Sequence, residues 1–175
     1  MINVVVAGPC GVGKSTIAEY FARSTGMTYL DFDELRGMDV KEGKAISPSP
    51  CSVSMLNLKD CLPTKLEKIS SSFILDIGGD TVFRRSANNK ERLDQIFWLK
   101  ASYSVKIILL LAEKDVLFQR FVATKDRNES EFDEPWIDWK DVGEPYWRQC
   151  ADLIIDTTSL MADDTVMKMK KWLFN

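Results

Sequence analysis

The residues best suited to chemistry in this chain lie close to its amino terminus, directly after a short apolar run. Gly8 and Gly13 are followed by Lys14 and Ser15 in the spacing Gly-x-x-x-x-Gly-Lys-Ser. Glycines allow a tight loop whose backbone N–H groups converge on phosphate oxygens, and a following helix adds the positive end of its dipole. A lysine neutralises the β- and γ-phosphates, and a serine hydroxyl is a ligand for Mg²⁺. The spacing therefore predicts a Walker A loop, or P-loop, for a nucleoside triphosphate.

The predicted nucleotide-binding loop and the start of the next helix contribute eight residues. They are Gly8, Cys10, Gly11, Val12, Gly13, Lys14, Ser15 and Thr16. Most contribute backbone N–H groups, whereas Lys14 also acts in catalysis and Thr16 adds a second hydroxyl. The alternative is a glycine-rich turn that merely joins a strand to a helix. We favour a nucleotide site, because the complete pattern stands between a strand-like run and a helix-like one.

Carboxylates follow two other apolar runs. Asp31 and Asp33 come after residues 27–30, and Asp76 comes after residues 73–75. Because parallel strands place their ligand crevice at their carboxyl ends, we expect these side chains to face one site. Asp33 is our candidate catalytic carboxylate, since it can orient an acceptor hydroxyl and accept its proton. The alternative for Asp33 is a cap on the helix that follows.

Three oxygen-bearing residues are predicted to hold Mg²⁺, namely Ser15, Asp31 and Asp76. Asp76 ends a Walker B-like strand, where a carboxylate can hold a Mg²⁺-bound water. It could instead only bond a neighbouring loop. Asp31 is also a candidate acceptor ligand, because it lies at the same strand end as Asp33.

A glycine turn and two arginines form the rest of the predicted acceptor site. Gly78 and Gly79 would let acceptor atoms approach the backbone closely, and Asp80 could bond a hydroxyl or an amine. Arg84, with Arg85 beside it, could hold an anionic group of the acceptor. A plain turn with two exposed arginines is the alternative.

Arg120 and Arg127 lie seven residues apart, on a helical segment and in the charged segment after it. Arg120 could stack on adenine, and Arg127 could cover the transferring phosphate and stabilise its charge. Either arginine could instead pair with a surface carboxylate such as Asp126 or Glu113.

Four aromatic residues in the carboxyl-terminal part of the chain are predicted to pack in the core, and the alternative is that they line the acceptor pocket. They are Trp136, Trp139, Tyr146 and Trp147.

The elements that must position these residues alternate along the chain. Strand-like runs that are apolar throughout occupy residues 4–7, 27–30, 73–77, 105–111 and 153–155, and helical spacing covers residues 15–24, 55–69, 88–99, 115–124 and 160–172. Such alternation predicts an α/β fold with a parallel sheet between helices. The length of 175 residues suits one domain. We expect an inserted acceptor-binding region at about residues 33–70 and a lid at about residues 124–135. Pro145 argues against one unbroken helix through the aromatic segment at residues 136–147.

Together these motifs resemble shikimate kinases over nearly the whole chain. The similar features are the P-loop, the Asp-x-Asp pair at residues 31–33, the glycine turn at 78–79, the two arginines and the segment at 145–157. The resemblance implies a five-stranded P-loop fold with strand order 2-3-1-4-5, a mobile lid, ATP and Mg²⁺. Two features depart from the family. No Phe-Arg-x-x-Glu occurs between residues 37 and 69, and Gly143 stands in the place of a second acceptor-binding arginine.

The sequence therefore predicts an ATP-dependent small-molecule kinase, shikimate kinase-like, whose acceptor is not shikimate itself. A nucleoside or nucleoside monophosphate kinase remains an alternative, as does a non-catalytic nucleotide-binding module. A GTP switch is disfavoured, because Arg127 stands where the final aspartate of the Asn/Thr-Lys-x-Asp motif belongs.

Composition narrows the partners. The net charge is −3 and charged residues make up 28% of the chain, so nucleic acid is not an expected partner. Four scattered cysteines and no histidine disfavour a zinc site, and we expect free thiols. The amino terminus offers no signal-like or membrane-spanning run. We therefore expect a cytoplasmic protein, monomeric or weakly dimeric, that binds ATP and a small-molecule acceptor but no membrane.

Overall fold

A five-stranded parallel sheet organises the chain. The structure, a computed structural model, describes residues 2–35, 38–39, 44–45, 58–123 and 131–175. The strands are β1 (Asn3–Gly8), β2 (Thr28–Asp31), β3 (Met38–Asp39), β4 (Lys44–Ala45), β5 (Phe73–Gly78), β6 (Val105–Leu111) and β7 (Leu153–Asp156). The main sheet has the order β2-β5-β1-β6-β7, and β3 pairs with β4 in a separate antiparallel pair. Counted among the five sheet strands, this order is the predicted 2-3-1-4-5.

Ten α-helices and one π-helical turn accompany the strands in the described part of the chain. The helices are α1 (Lys14–Thr25), α2 (Phe32–Leu35), α3 (Leu58–Cys61), α4 (Pro63–Leu66), α5 (Gly79–Val82), α6 (Asn89–Tyr103), α7 (Lys114–Ala123), α8 (Asp133–Asp138), α9 (Glu144–Cys150) and α10 (Ala162–Phe174). The π-helical turn spans Trp139–Gly143, between α8 and α9. None of the described helices is long and apolar enough to cross a membrane.

The central strands β1 and β5 are largely apolar because helices cover both faces of the sheet there. Odd-numbered residues of β1, such as Val5 and Ala7, pack in one core with side chains of α6 and α9. Even-numbered residues, such as Val4 and Val6, pack in a second core with α1, α7 and α10. Both cores are closed to solvent, since all four of these side chains are fully buried. The result is the three-layer α/β arrangement expected from the sequence.

One predicted helix is wrong in extent. The segment at residues 55–69 does not form one helix, because two short helices, α3 and α4, stand on either side of Leu62. Pro63 begins α4, and a proline disfavours continuation of a helix through the residue before it. The rest of the predicted inserted region at 37–54 falls mainly outside the described residues.

The stretch from α8 to α9 contains the irregularity that Pro145 predicted. The residues 133–150 are helical throughout, but the hydrogen-bond pattern changes in the π-helical turn. There the backbone N–H of Glu144 bonds to the carbonyl of Trp139. Pro145 follows in the first turn of α9 and has no N–H to donate, so the regular α-helical hydrogen-bond pattern cannot continue through it.

Candidate nucleotide and acceptor site

The P-loop connects β1 to α1 at the carboxyl edge of the sheet. Gly13, directly before α1, has φ 91° and ψ 21°, a left-handed conformation that glycine adopts without strain. No side chain caps this end of the helix, so its first N–H groups are available for an anion. The Lys14 amine donates to the carbonyl of Pro9 at 3.1 Å. Lys14 therefore lies across the loop, where it can meet phosphate oxygens.

Ser15 and Asp76 form the hydrogen bond at the centre of the site. The Ser15 hydroxyl donates to Oδ2 of Asp76 at 2.6 Å. Asp76 is 6% exposed, and its other oxygen, Oδ1, is buried with no hydrogen-bond partner among the described residues. Burial raises the pKa of the Asp76 carboxyl, although Lys14 and Ser15 oppose the rise, and Asp31 and Asp33 add to it. A buried acceptor left in this state marks a position for a cation or its bound water.

Asp31 lies beside Asp76 and caps the next helix. The two residues are partners in the register of β2 and β5. Oδ1 of Asp31 accepts hydrogen bonds from the backbone N–H groups of Asp33, at 2.7 Å, and Glu34, at 3.3 Å. The cap that the sequence suggested as an alternative role for Asp33 is thus supplied by Asp31. Burial raises the pKa of the Asp31 carboxyl, despite these two hydrogen bonds.

The residues present fit a magnesium ion. Mg²⁺ prefers oxygen ligands and is usually held by one or two carboxylates together with substrate phosphates and waters. Ser15, Asp76 and Asp31 offer that donor set, with Oδ1 of Asp76 still unpartnered in the described structure. The described residues contain no group of three or more acidic or cysteine side chains that could hold a metal by themselves.

Gly78 and Gly79, at the end of β5, lie directly against the P-loop. Gly78 is the partner of Gly8 in the register of β5 and β1. A Cβ at Gly79 would come within 2.6 Å of the carbonyl oxygen of Gly8 and would collide with the ring of Trp139. The carbonyl of Gly79 accepts a hydrogen bond from the indole N–H of Trp147 at 3.0 Å. The absence of a side chain at Gly79 therefore allows close packing between the turn, the P-loop and two tryptophans.

Arg84 and Arg85 already have acceptors within the protein. The guanidinium of Arg84 donates to the carbonyl of Asp80 through Nε, at 3.3 Å, and Nη2, at 3.1 Å. Arg85 pairs with Asp138 at 3.3 Å, directly before the π-helical turn, and also with Asp141 within that turn. The structure therefore shows Arg84 bracing the turn after β5 through the carbonyl of Asp80, and its predicted role in binding the acceptor stays a prediction.

The aromatic residues after residue 131 divide between the core and its rim. Trp139 and Trp147 are 2% and 0% exposed, which confirms core packing for these two. Trp136 and Tyr146 are half-buried against the cores, and Tyr146 stacks on Phe83. Gly143 lies beneath Trp139, since a Cβ there would come within 2.7 Å of the indole ring.

Arg120 forms one wall of a cavity beside the P-loop. It donates to the carbonyl of Thr157 at 2.9 Å and to the Thr157 hydroxyl at 3.1 Å. The cavity has a volume of about 220 Å³ and is bounded by the P-loop, α1, α7, α10 and the segment before α10. Its lining residues are Val12, Gly13, Thr16, Ile17, Arg120, Thr157, Leu160, Met161, Ala162 and Thr165. Val12, Gly13, Thr16 and Arg120 are among the residues that the sequence predicts to bind the nucleotide. The lining residues between 157 and 165 were not predicted from the sequence.

Arg127 and most of the predicted lid, residues 124–130, lie outside the described residues. The chain that follows is firmly anchored. Phe132 is 3% exposed and packs edge-on against Phe118 and Phe121 of α7. Lys114, at the start of α7, pairs with Asp133 at 3.0 Å. The predicted roles of Arg127 and of the lid stay predictions.

Tyr29 is a site residue that the sequence analysis missed. It lies two residues before Asp31 on β2, and its side chain packs against the core that α1 covers. Burial raises the pKa of the Tyr29 hydroxyl far above its ordinary value, and the charges of Asp76, Asp31 and Glu19 add to the rise. The alternation of side chains along a strand would have revealed it, because residues 29 and 31 share one face.

Known proteins share this sequence pattern and architecture. No family model matches the chain. The shikimate kinase of Chromobacterium violaceum is 26% identical over 159 residues, which cover 89% of this chain and 81% of that protein. A shikimate kinase structure from Bacteroides thetaiotaomicron matches with a TM-score of 0.63 at 16% identity and 98% coverage of both chains.

A second solved structure widens the range of similar proteins. A gluconokinase from Sinorhizobium meliloti matches with a TM-score of 0.56 at 17% identity, covering 95% of this chain and 87% of that one. At such identities the structural matches show that this chain shares the fold of these proteins.

Proposed function

We propose that this chain, a shikimate kinase-like P-loop kinase by sequence and fold, transfers the γ-phosphoryl group of ATP to a hydroxyl of a small molecule other than shikimate. The observation that carries the proposal is the hydrogen bond between Ser15 and the buried Asp76 behind a complete P-loop. The similarity to enzymes named shikimate kinase and gluconokinase supports phosphoryl transfer as the reaction.

The donor half of the reaction is charge neutralisation by the P-loop. Lys14 and the N–H groups at the start of α1 would hold the β- and γ-phosphates. Ser15, Asp76 and Asp31 would hold Mg²⁺, which neutralises phosphate charge when it is bound. The loop residues 8–13, which include Cys10, Gly11 and Val12, would contribute backbone N–H donors to the phosphate oxygens. The residues work by positioning, so no covalent nucleophile is needed.

The cavity beside the P-loop would take the adenine ring. It borders Gly13 and Thr16, so a base there is continuous with phosphates in the loop. The guanidinium of Arg120 is braced by two hydrogen bonds to Thr157, and a planar cation held in this way can stack on a purine.

The acceptor would lie on the other side of the P-loop, next to Asp33 and the turn after β5. Asp33 would accept the proton of the attacking hydroxyl, and Asp80 would bond another polar group. The guanidinium groups of Arg84 and Arg85 are bound to oxygens of the protein itself, so neither is placed for a bidentate contact with a ligand carboxylate. This arrangement favours a neutral or amine-bearing acceptor over an acid. Arg127 would stabilise the transferring phosphoryl group.

A panel of acceptors tests the proposal. Purified protein with ATP and Mg²⁺ would be offered neutral polyols, amino alcohols, nucleosides, gluconate and shikimate, and transfer would be measured as phosphorylated product. We expect selective turnover of one neutral or amine-bearing hydroxyl compound, which Asp33→Asn lowers by about 100-fold or more. Selective turnover of a nucleoside or of shikimate would overturn the acceptor assignment. ATP binding without transfer to any compound would indicate a non-catalytic module.

A further inference from the structure

The segment after β5 is bound by two side chains from the start of α6. The side-chain amide of Asn89 bonds both backbone groups of Arg84, since Oδ1 accepts from the N–H at 3.1 Å and Nδ2 donates to the carbonyl at 2.9 Å. One turn further along α6, Arg92 is 6% exposed and donates to the carbonyl of Val82. One helix therefore holds the backbone of residues 82–84 through directed hydrogen bonds.

These hydrogen bonds continue to Asp80 through the side chain of Arg84. The Arg84 guanidinium donates to the carbonyl of Asp80 through Nε, at 3.3 Å, and Nη2, at 3.1 Å. Asn89 fixes the backbone from which this guanidinium extends. A continuous connection thus runs from Asn89 through Arg84 to Asp80.

Apolar packing holds the same segment against the core, but it does not set its orientation. Val82 and Phe83 are fully buried, and Phe83 stacks on Tyr146. The hydrophobic effect is non-directional, whereas a hydrogen bond depends on distance and angle. The helix α5 has only four residues, and Phe83 after it has an extended backbone with φ −104° and ψ 124°. The hydrogen bonds from α6 therefore determine where Asp80 lies.

We propose that Asn89 is a positioning residue for the acceptor, which sets the place of Asp80 through Arg84. The inference rests on the proposed function, in which Asp80 bonds a polar group of the acceptor. A displacement of about 1 Å caused by a change far from the chemistry can lower a rate about 100-fold, so such support is functionally significant. The side-chain bonds of Asn89 go to Arg84 and not to the P-loop, so the affinity for ATP should not depend on them.

Steady-state kinetics of Asn89→Ala test the inference, and the substrate is the compound of the acceptor panel that the wild type phosphorylates. Two hydrogen bonds of ordinary strength are lost, so we expect the KM for this acceptor to rise about fivefold or more. The affinity for ATP, measured by calorimetry, should stay unchanged.

Asn88→Ala is the matched control, because Asn88 is exposed and caps α6, its Oδ1 accepting from the N–H of Glu91 at 3.4 Å. Both variants remove an asparagine amide from the start of α6, and loss of the cap lowers stability. The acceptor KM of Asn88→Ala should nevertheless equal that of the wild type. An unchanged KM in Asn89→Ala, an equal rise in Asn88→Ala, or a matching loss of ATP affinity in Asn89→Ala would overturn the inference.

A double-mutant comparison tests the connection through Arg84. Arg84→Ala alone should raise the acceptor KM, and adding Asn89→Ala to it should raise the KM no further, because Asn89 acts through Arg84. A further rise of the same size would contradict this connection. If the wild type phosphorylated no compound of the panel, the proposed function would fail and the inference with it. Transfer by the wild type with an unchanged KM in Asn89→Ala would remove only the inference about Asn89.

Discussion

At the scale of single residues, the buried carboxyl of Asp76 is electrostatically unfavourable for the folded state. The carboxyl is 6% exposed, and one of its oxygens is unpartnered in the described structure. A group of this kind destabilises the fold when it is ionised, and functional sites commonly bear such costs. Asp31 and Asp33 increase the cost, since their charges raise the pKa of Asp76 further. A bound Mg²⁺ would remove this penalty.

The raised pKa of Asp76 predicts a pH-dependent stability difference. Burial raises this pKa above the ordinary aspartate value of 3.8, so the native state takes up a proton at higher pH than the unfolded chain. Protonation thus favours the fold, and the benefit is lost as pH rises through the folded pKa. We expect Asp76→Asn to be more stable than the wild type at neutral pH, with a gap that shrinks as pH falls towards 3.8. Urea unfolding without Mg²⁺ measures it, and a gap that widened would contradict the assignment.

Arg120 is predicted to recognise the base and not the phosphates. Cation–π stacking contributes about 0.5–2 kcal/mol, so Arg120→Ala should weaken ATP binding by about two- to thirtyfold. Binding of inorganic triphosphate should not change. Arg23→Ala is a suitable control, because the Arg23 side chain on α1 is 79% exposed. Equal losses for ATP and for triphosphate would place Arg120 at the phosphates instead.

At the scale of elements, the π-helical turn joins the turn after β5 to the α8–α9 region. It places Trp139 against two glycines, Gly79 after β5 and Gly143 at its own end. Gly79 in turn lies against Gly8 of the P-loop. The indole therefore fixes the distance between the turn after β5 and the α8–α9 region, and the Arg85 pairs with Asp138 and Asp141 reinforce the same connection.

Trp139 should consequently be a large contributor to stability. Trp139→Ala removes a 2% exposed indole from between two glycines, and we expect a loss of about 3–5 kcal/mol in the free energy of unfolding. Ile137→Ala, two residues away and 47% exposed, should cost much less than 1 kcal/mol. Urea denaturation curves of the two variants make the comparison. Similar losses at both positions would show that Trp139 does not join these elements.

Much of the framework could be predicted from sequence because its signals are local. Continuous apolar runs identified the buried strands, and the glycine spacing identified the P-loop with Lys14 and Ser15 at its end. The cap formed by Asp31, the bracing of Arg84 by Asp80 and the packing of Trp139 on Gly79 and Gly143 could not be found in this way. They depend on side-chain direction and on elements far apart in sequence.

At the scale of the whole molecule, the parallel sheet explains why these residues meet. Parallel strands bring their carboxyl ends to one edge, so Gly8, Asp31 and Gly78 come from distant parts of the chain to one crevice. The cavity that Arg120 borders lies on the α1, α7 and α10 side of the P-loop. The segment that contains Asp80 and Arg84 begins where β5 ends. Under the proposed function, the nucleotide base and the acceptor would therefore lie on opposite sides of the P-loop.

The most direct test of the account is the fate of the γ-phosphoryl group of ATP. The protein would be incubated with Mg²⁺, a mixture of cellular metabolites and ATP that is isotopically labelled in its γ-phosphoryl group, and the products would be identified by mass spectrometry. We predict that the label appears on one small hydroxyl compound with stoichiometric ADP, and that Lys14→Ala abolishes the transfer. Label found only in inorganic phosphate, or transfer that persists in Lys14→Ala, would contradict a P-loop kinase.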